Sequence, residues 1–261
     1  PWRFAGIFTP VIPVLHLQNV SVVREGKTIL GPLDWAVNEN ERWVILGPNG
    51  AGKSTLFSLC SSQIHPTSGS AEILGARLGA VDVFELRPRI GFMGSTLLNL
   101  FPEDEKVIDI VLTAAYAMLG RWNESYELWD ESRAQGLLTT LGVRELANRK
   151  FFTLSEGEKK RTLIARALMA DPEILLLDEP FGALDAKVRK ELRRWLRRLH
   201  DDLHVTSIFV THDQEEALEV ADRVVLMNSG RVEQIGSPQQ VWDHPASPFV
   251  YGFLGDVNLF H

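Results

Sequence analysis

The nine residues Gly47-Pro48-Asn49-Gly50-Ala51-Gly52-Lys53-Ser54-Thr55 leave this chain a narrow choice of folds. They satisfy the pattern G-x-x-x-x-G-K-[ST], in which glycines let the backbone curl until several N–H groups converge on one point. The apolar run Arg42 to Leu46 precedes them and reads as a strand, and a helix is expected from about Gly52 to Ser62. That strand–turn–helix context gives the pattern its meaning, because a helix N-terminus adds positive potential to the converging donors. A turn of this kind holds phosphate oxygens. All nine residues are candidate phosphate-site residues. Lys53 is placed to reach the β- and γ-phosphates of a nucleotide, and the Ser54 hydroxyl to ligate Mg2+.

A second element carries complementary chemistry. Ile174-Leu175-Leu176-Leu177 is a short, wholly apolar run that ends in Asp178-Glu179. A buried strand ending in two carboxylates delivers both to the C-terminal edge of a sheet, where open α/β sheets bind ligands. Asp178 is expected to hold Mg2+ through water, and Glu179 to accept a proton from, or orient, an attacking water.

The remaining pattern predicts an α/β protein with a phosphate-loop core. Val14 to Val23, Leu33 to Val37, Ala71 to Leu74 and Arg89 to Met93 read as strands, the first ones forming an N-terminal antiparallel β subdomain. Strands Ser207 to Thr211, Arg223 to Met227 and Arg231 to Ile235 alternate with helices from Lys187 and Gln214, so the core sheet should be largely parallel. Lys106 to Lys150 holds little strand signal. Ile108, Val111, Leu112 and Ala115 recur at helical spacing, and a second helix is expected to carry Tyr126, Leu128 and Trp129. Residues 1–94 with 165–245 are therefore read as the core, 95–164 as an all-helical insert and 246–261 as a tail. In the helix from Lys187, Val188, Leu192, Trp195 and Leu199 form an apolar stripe opposite a basic face expected to be solvated. The insert's aromatics (Tyr116, Trp122, Tyr126, Trp129) are expected in its core, and Cys60 is expected to be buried.

Composition removes several function classes. The net charge of −7 weighs against an obligate nucleic-acid binder, which is usually basic. A single cysteine excludes a disulfide framework and a Cys-based zinc site. No stretch approaches the roughly 20 apolar residues needed to cross a bilayer. Pro10 and Pro13 break the apolar segment Phe4 to Leu17, which reads as neither anchor nor leader.

Three further motifs permit a family resemblance. Leu154-Ser155-Glu156-Gly157-Glu158 resembles the LSGGQ signature of ATP-binding-cassette (ABC) ATPases and lies before the Asp178-Glu179 strand, as in that family. Gly182-Ala183-Leu184-Asp185 resembles its D-loop, and His212 its switch histidine. Five elements in order cover nearly the whole chain. The resemblance implies a head-to-tail dimer that binds two ATP molecules between subunits. Each nucleotide would lie on one copy's Lys53, Ser54 and Thr55, with its γ-phosphate met by Ser155 and the Gly157 N–H of the second copy. His212 would bond that phosphate, and Asp185 would link the two sites. From Pro180 onward, through Thr211 to Ala217 and Phe249 to Asn258, the chain resembles ATPase subunits of sulfate-type importers, whereas residues up to about Leu177 look more like compact stand-alone ABC ATPases.

The resemblance implies an ATP-hydrolysing subunit at the cytoplasmic face of a membrane, attached through a separate permease. The alternative is a soluble ABC ATPase that remodels a ribosome or DNA complex. Such proteins often carry two cassettes or a coiled-coil insert, and neither occurs here. A regulator without catalysis is disfavoured because Glu179 and His212 are both present. Three positions depart from the family. Ser95 stands where a glutamine usually ends the strand before the insert, Arg24 where an aromatic usually stacks on adenine, and Glu156 and Glu158 where the signature has Gly and Gln. Arg24 could stack through its guanidinium plane, with looser base selectivity. Ser155 and Gly157 are kept as phosphate contacts and the two acids are not.

Overall fold

The computed structural model describes residues 13–121, 125–182, 184–203 and 205–255, with the side chains of 95 and 201–203 outside that description. The segment 4–12, Trp122, Ala183, His204, 256–258 of the tail and His261 lie outside the described residues.

Two sheets and a helical layer build the molecule. The first sheet has strand order β2-β1-β4-β5 and is antiparallel, formed by β1 (Leu15–Arg24), β2 (Lys27–Val37), β4 (Ser68–Ile73) and β5 (Ala76–Arg77). Leu15, Leu17, Val20 and Val22 of β1 point inward while their neighbours face out, with a bulge resetting the register near Asn19. The second sheet has the order β10-β9-β3-β8-β7-β6, formed by β3 (Arg42–Leu46), β6 (Ile90–Met93), β7 (Ile174–Asp178), β8 (Thr206–Thr211), β9 (Arg223–Asn228) and β10 (Arg231–Gly236). All its neighbours are parallel except β10, which returns on β9 through a tight turn at Ser229 and Gly230, both at positive φ.

Strand alternation divides the interior in two. Ile45, Leu176, Ile208, Val210 and Val225 face α1 (Lys53–Cys60) and the antiparallel sheet. Val44, Leu46, Leu175, Leu177, Phe209 and Leu226 face the opposite layer. That layer contains α4 (Val107–Leu112), α5 (Leu128–Thr140), α6 (Glu156–Met169), α7 (Ala186–Leu203), α8 (Gln214–Val220), α9 (Pro238–Asp243) and α10 (Pro248–Leu254); two single turns, α2 (Val83–Leu86) and α3 (Ser95–Leu98), flank β6. β3, β7 and β8 are covered on both faces, which is why Trp43–Leu46, Ile174–Leu177 and Ile208–Val210 are continuous apolar runs within them. No helix among the described residues is long and apolar enough to cross a membrane.

Several expectations need adjusting. α6 runs unbroken from Glu156 to Met169, so the insert and the core share one helix across residues 164 and 165. Within the tail, Val250 and Leu254 are buried in the helical-side core. α5 begins at Leu128, leaving Tyr126 just before it. Of the insert aromatics, Tyr126 is buried, whereas Tyr116 and Trp129 are exposed. The stripe on α7 packs inward, with Leu196 joining it, and Cys60 is buried as expected. Its basic face is only partly solvated. Arg189 meets Glu216, and Arg193 and Arg197 meet Glu219, because α8 presents its acidic face alongside.

Arg166 ties the insert to α6. It is buried, and its guanidinium donates to the Ile110 and Met118 carbonyls and to Thr113 Oγ1 while lying over the Phe101 ring. Burial pulls its pKa down to about 10, so the ion stays charged at neutral pH and those acceptors depend on it. Replacing it in Arg166→Met should cost about 3 kcal/mol, because the Met118 carbonyl and Thr113 Oγ1 lose this donor and the Ile110 carbonyl keeps only the long bond from the Thr113 hydroxyl. Urea unfolding measures this. An unchanged midpoint would show that these bonds contribute nothing.

Candidate functional site

The parallel register places the chemistry-bearing residues on one edge. Leu46 pairs with Thr211, Asp178 with Val210, and Met93 with Leu177, so the chain leaves β3, β8, β7 and β6 side by side. The next residues are Gly47, His212, Glu179 and Gly94. Four chain segments far apart in sequence thus converge where an open parallel sheet binds ligands.

The glycine loop leaves β3 against the turn between β9 and β10. A Cβ on Gly47 would lie 2.3 Å from the Met227 carbonyl oxygen, so the loop can enter only with glycine there. Gly50 and Gly52 lie at φ 79° and 94°, a region that side chains disfavour. Gly230 N–H donates to the Ala51 carbonyl at 3.0 Å and holds the far side of the loop. Lys53 opens α1 and is only 7% exposed; its ammonium donates to the Gly47 and Pro48 carbonyls at 2.8 and 3.0 Å. Burial lowers its pKa, and the charges of Glu179 and Asp178 oppose that shift. Ser54 is exposed beside it and Thr55 half-buried.

Asp178 and Glu179 end β7. Burial raises the Asp178 pKa, the adjacent Glu179 adds to it, and Lys160 and Lys53 hold it down. Glu179 takes φ 46° and turns its side chain to His212, whose Nδ1 lies 2.9 Å from Oε1. A carboxylate only accepts, so Nδ1 is the donor. Asp178 and Glu179 face a cleft of about 570 Å3 lined also by Asn49, Gly50, Gly52, Lys53, Ser54 and Thr55 and by Ile29, Met93, Gly94 and Leu98; His212 is not among its lining residues and reaches it through Glu179.

The same chain's α6 closes this cleft through Glu156, Lys159, Lys160 and Leu163, whereas Ser155 and Gly157 are not among its lining residues. Lys160 Nζ donates to the Glu179 carbonyl at 2.6 Å. Sequence reading missed this residue. The signal lay in helical spacing, since Glu156, Lys160 and Leu163 follow one another at i, i+4 and i+7 on one face. Ile29, which lies in β2 but outside the strands read from sequence, was missed as well.

Ser155 caps α6 and explains one of the acids. Its hydroxyl accepts from the Glu158 N–H, while the Glu158 carboxylate accepts from both the N–H and the hydroxyl of Ser155 at 2.8 Å. Glu158 is thus a capping-box partner, and its pKa is lowered by the Ser155 backbone and then hydroxyl bonds. Glu156 pairs with Lys159 at 2.8 Å. Asp185 caps α7 by accepting from the Val188 N–H at 2.9 Å and is exposed. Arg24 is exposed at the tip of the β1–β2 hairpin and is not among the residues lining the cleft. The side chain of Ser95 lies outside the described residues.

Comparison with known proteins places these motifs among relatives. The sequence profile described as ABC transporter matches residues 30–182. The chain is 49% identical over 228 residues to a sulfate/thiosulfate import ATP-binding protein of Bordetella parapertussis, covering 86% of this chain and 62% of that protein. It is 48% identical to a protein of the same description from Ralstonia nicotianae, covering 95% of this chain and 65% of the relative. The similarity therefore runs through both halves, and the chain spans somewhat under two thirds of these relatives' length. Among solved structures, the dimeric structure of a bacterial ABC transporter cassette aligns with TM-score 0.76 and 27% identity, covering 86% of this chain and 98% of that one. A dimeric cassette in a post-hydrolysis state bound to ADP and Pi aligns with the same TM-score at 26% identity, over the same shares of the two chains.

The close approach of Gly47 to Met227 generates a direct test. In Gly47→Ala the added methyl cannot fit beside a backbone oxygen, so the loop must leave its path. Binding of a fluorescent ATP analogue should weaken by at least about a hundredfold, the loss expected when converging N–H donors are misaligned. Parental affinity would remove this loop from the site.

Proposed function

The chain belongs to the ABC transporter family, and on that premise we propose that it is the ATP-binding, ATP-hydrolysing subunit of a membrane importer for a sulfate-like inorganic anion. The observation that carries this reading is the edge cluster of Lys53, Asp178, Glu179 and His212 around the glycine loop. The relatives at 48–49% identity are described as sulfate/thiosulfate import ATP-binding proteins, which supports the substrate class.

The residues divide the work. Backbone N–H groups of Gly50, Gly52 and Lys53 cradle phosphate oxygens, and the Lys53 ammonium exchanges the Gly47 and Pro48 carbonyls for the β- and γ-phosphates. Ser54 and Asp178 offer the hard oxygen donors that Mg2+ prefers, and a divalent cation there would stabilise the Asp178 carboxylate, whose pKa is raised by burial and then by the adjacent Glu179. Mg2+ held there would neutralise charge on the phosphate oxygens. Glu179 orients the attacking water and takes its proton, and His212 fixes the carboxylate through Nδ1 and leaves Nε2 for the γ-phosphate.

Two copies pair head to tail, so that the Ser155 end of one α6 meets the nucleotide held by the other. The dimeric cassettes among the structural relatives support this arrangement. Phosphate arriving at Ser155 also meets the Glu158 carboxylate that caps it. The permease has a matching groove on the opposite side of β6. A cavity of about 360 Å3 there is lined by Arg87, Phe92, Leu97, Leu100 and Leu119 between core and insert, and suits a short amphipathic helix. The chain then sits peripherally on the cytoplasmic face of the membrane.

Two measurements test the reading. Glu179→Gln should lower ATP turnover by at least about a hundredfold while keeping affinity, and the variant should co-elute with ATP as a closed pair that retains a membrane protein from detergent-solubilised source membranes. Parental turnover refutes the role of Glu179, and recovery without any membrane protein refutes the importer. In that same background, Glu158→Gln preserves the cap and removes a charge next to the incoming phosphate. Pairing followed by light scattering should then need several-fold less ATP, on the order of 1 kcal/mol per removed like charge near a surface. An unchanged ATP requirement would mean that no phosphate reaches Ser155.

A further inference from the structure

Glu179 adopts φ 46°, the left-handed region, although it is not glycine. Such a conformation persists only where the surroundings over-determine it. Four bonds do so here. The Glu179 N–H donates to the Val210 carbonyl at 2.9 Å, and Oε1 accepts from His212. The Glu179 carbonyl accepts from the Gly182 N–H at 3.2 Å and from Lys160 Nζ at 2.6 Å. Val210 and His212 belong to the edge of the sheet, and Gly182 to the loop itself. Lys160 alone of the four comes from the helix that carries the insert's signature.

Its neighbours show that this reach is specific. Lys159 pairs with Glu156, and Arg161 donates to the Leu141 and Gly142 carbonyls, so both stay within the insert. Lys160, half-buried between them, turns to the core. Space has been left for it: a Cβ on Gly182 would lie 2.9 Å from Nζ. The ammonium also faces the paired charges of Asp178 and Glu179.

We propose that Lys160 is a positioning residue that holds the backbone of Glu179 in its working conformation, so that hydrolysis proceeds only while the insert is docked on its own core. The inference rests on the ATPase reading above and adds a condition to it. When the insert swings away, the Glu179 carbonyl loses its cationic donor, the strained residue relaxes, and the carboxylate leaves the line of the attacking water. Nucleotide stays bound throughout, because Lys53 and the glycine loop belong to the core. Docking of the insert and readiness to hydrolyse thereby become one event within each copy.

The test compares the parental protein, Lys160→Met and Lys160→Arg by kcat and KM for ATP–Mg2+, by equilibrium affinity for a non-hydrolysable ATP analogue, and by urea midpoint. Lys160→Met should lose roughly tenfold to a hundredfold in kcat, the scale of a misplaced catalytic group, with KM and analogue affinity within about twofold of the parent. Lys160→Arg, which keeps a long cationic donor, should recover most of that loss. Equal kcat for Lys160→Met and parent overturns the proposal. So does a loss confined to analogue affinity, which would make Lys160 a phosphate ligand, or a loss in both variants that tracks a lowered urea midpoint. A parental protein that fails to hydrolyse ATP would instead refute the ATPase reading itself.

Discussion

Parallel pairing of β3, β8, β7 and β6 is the constraint on which the rest of the molecule depends. The first three are covered from both sides, so their polar residues gather toward the strand ends. Polar function is displaced to the strand ends, and parallel direction brings equivalent ends to one edge. A slip of one residue in β7 would turn every side chain of Ile174–Asp178 to the other face and carry the acidic pair out of line with the glycine loop. The apolar core and the nucleotide cleft are therefore two results of one register.

Much of this was legible in the residues. The glycine loop announced its strand and helix, and the apolar run ending in Asp178-Glu179 announced a buried strand with a charged end. The rest depends on which elements become neighbours. Glu158 looked like a loss from the signature, yet Ser155 and Glu158 stand at capping-box spacing, and local helix chemistry accounts for the acid. The α7 arginines read as a solvated face because nothing in their own helix shows that α8 will set Glu216 and Glu219 beside them. Tyr116 and Trp129 are exposed because the insert's interior is filled instead by Val107, Ile110, Val111, Leu138 and Phe151, with Tyr126 alone of the three described aromatics joining them.

Charge at the cleft is balanced without being neutralised. Lys53 and Lys160 both have pKa values lowered by burial and supported by the same two carboxylates, while Asp178 is pushed the other way by burial and by Glu179. A polyanionic ligand entering such a site replaces one set of partners by another instead of meeting bare charge. Little solvent need then be reordered when charge shifts on the phosphate.

The unbroken course of α6 has a mechanical consequence. Fourteen residues join the capped Ser155 end to Met169, packed beside β6 and β7. A helix of that length is a rigid rod of about 21 Å, so a tilt of about 10° at its Met169 end moves the Ser155 tip by roughly 4 Å. That displacement exceeds the length of a hydrogen bond. A slight pivot, small enough to leave the packed base undisturbed, is enough to make or break contact at the tip.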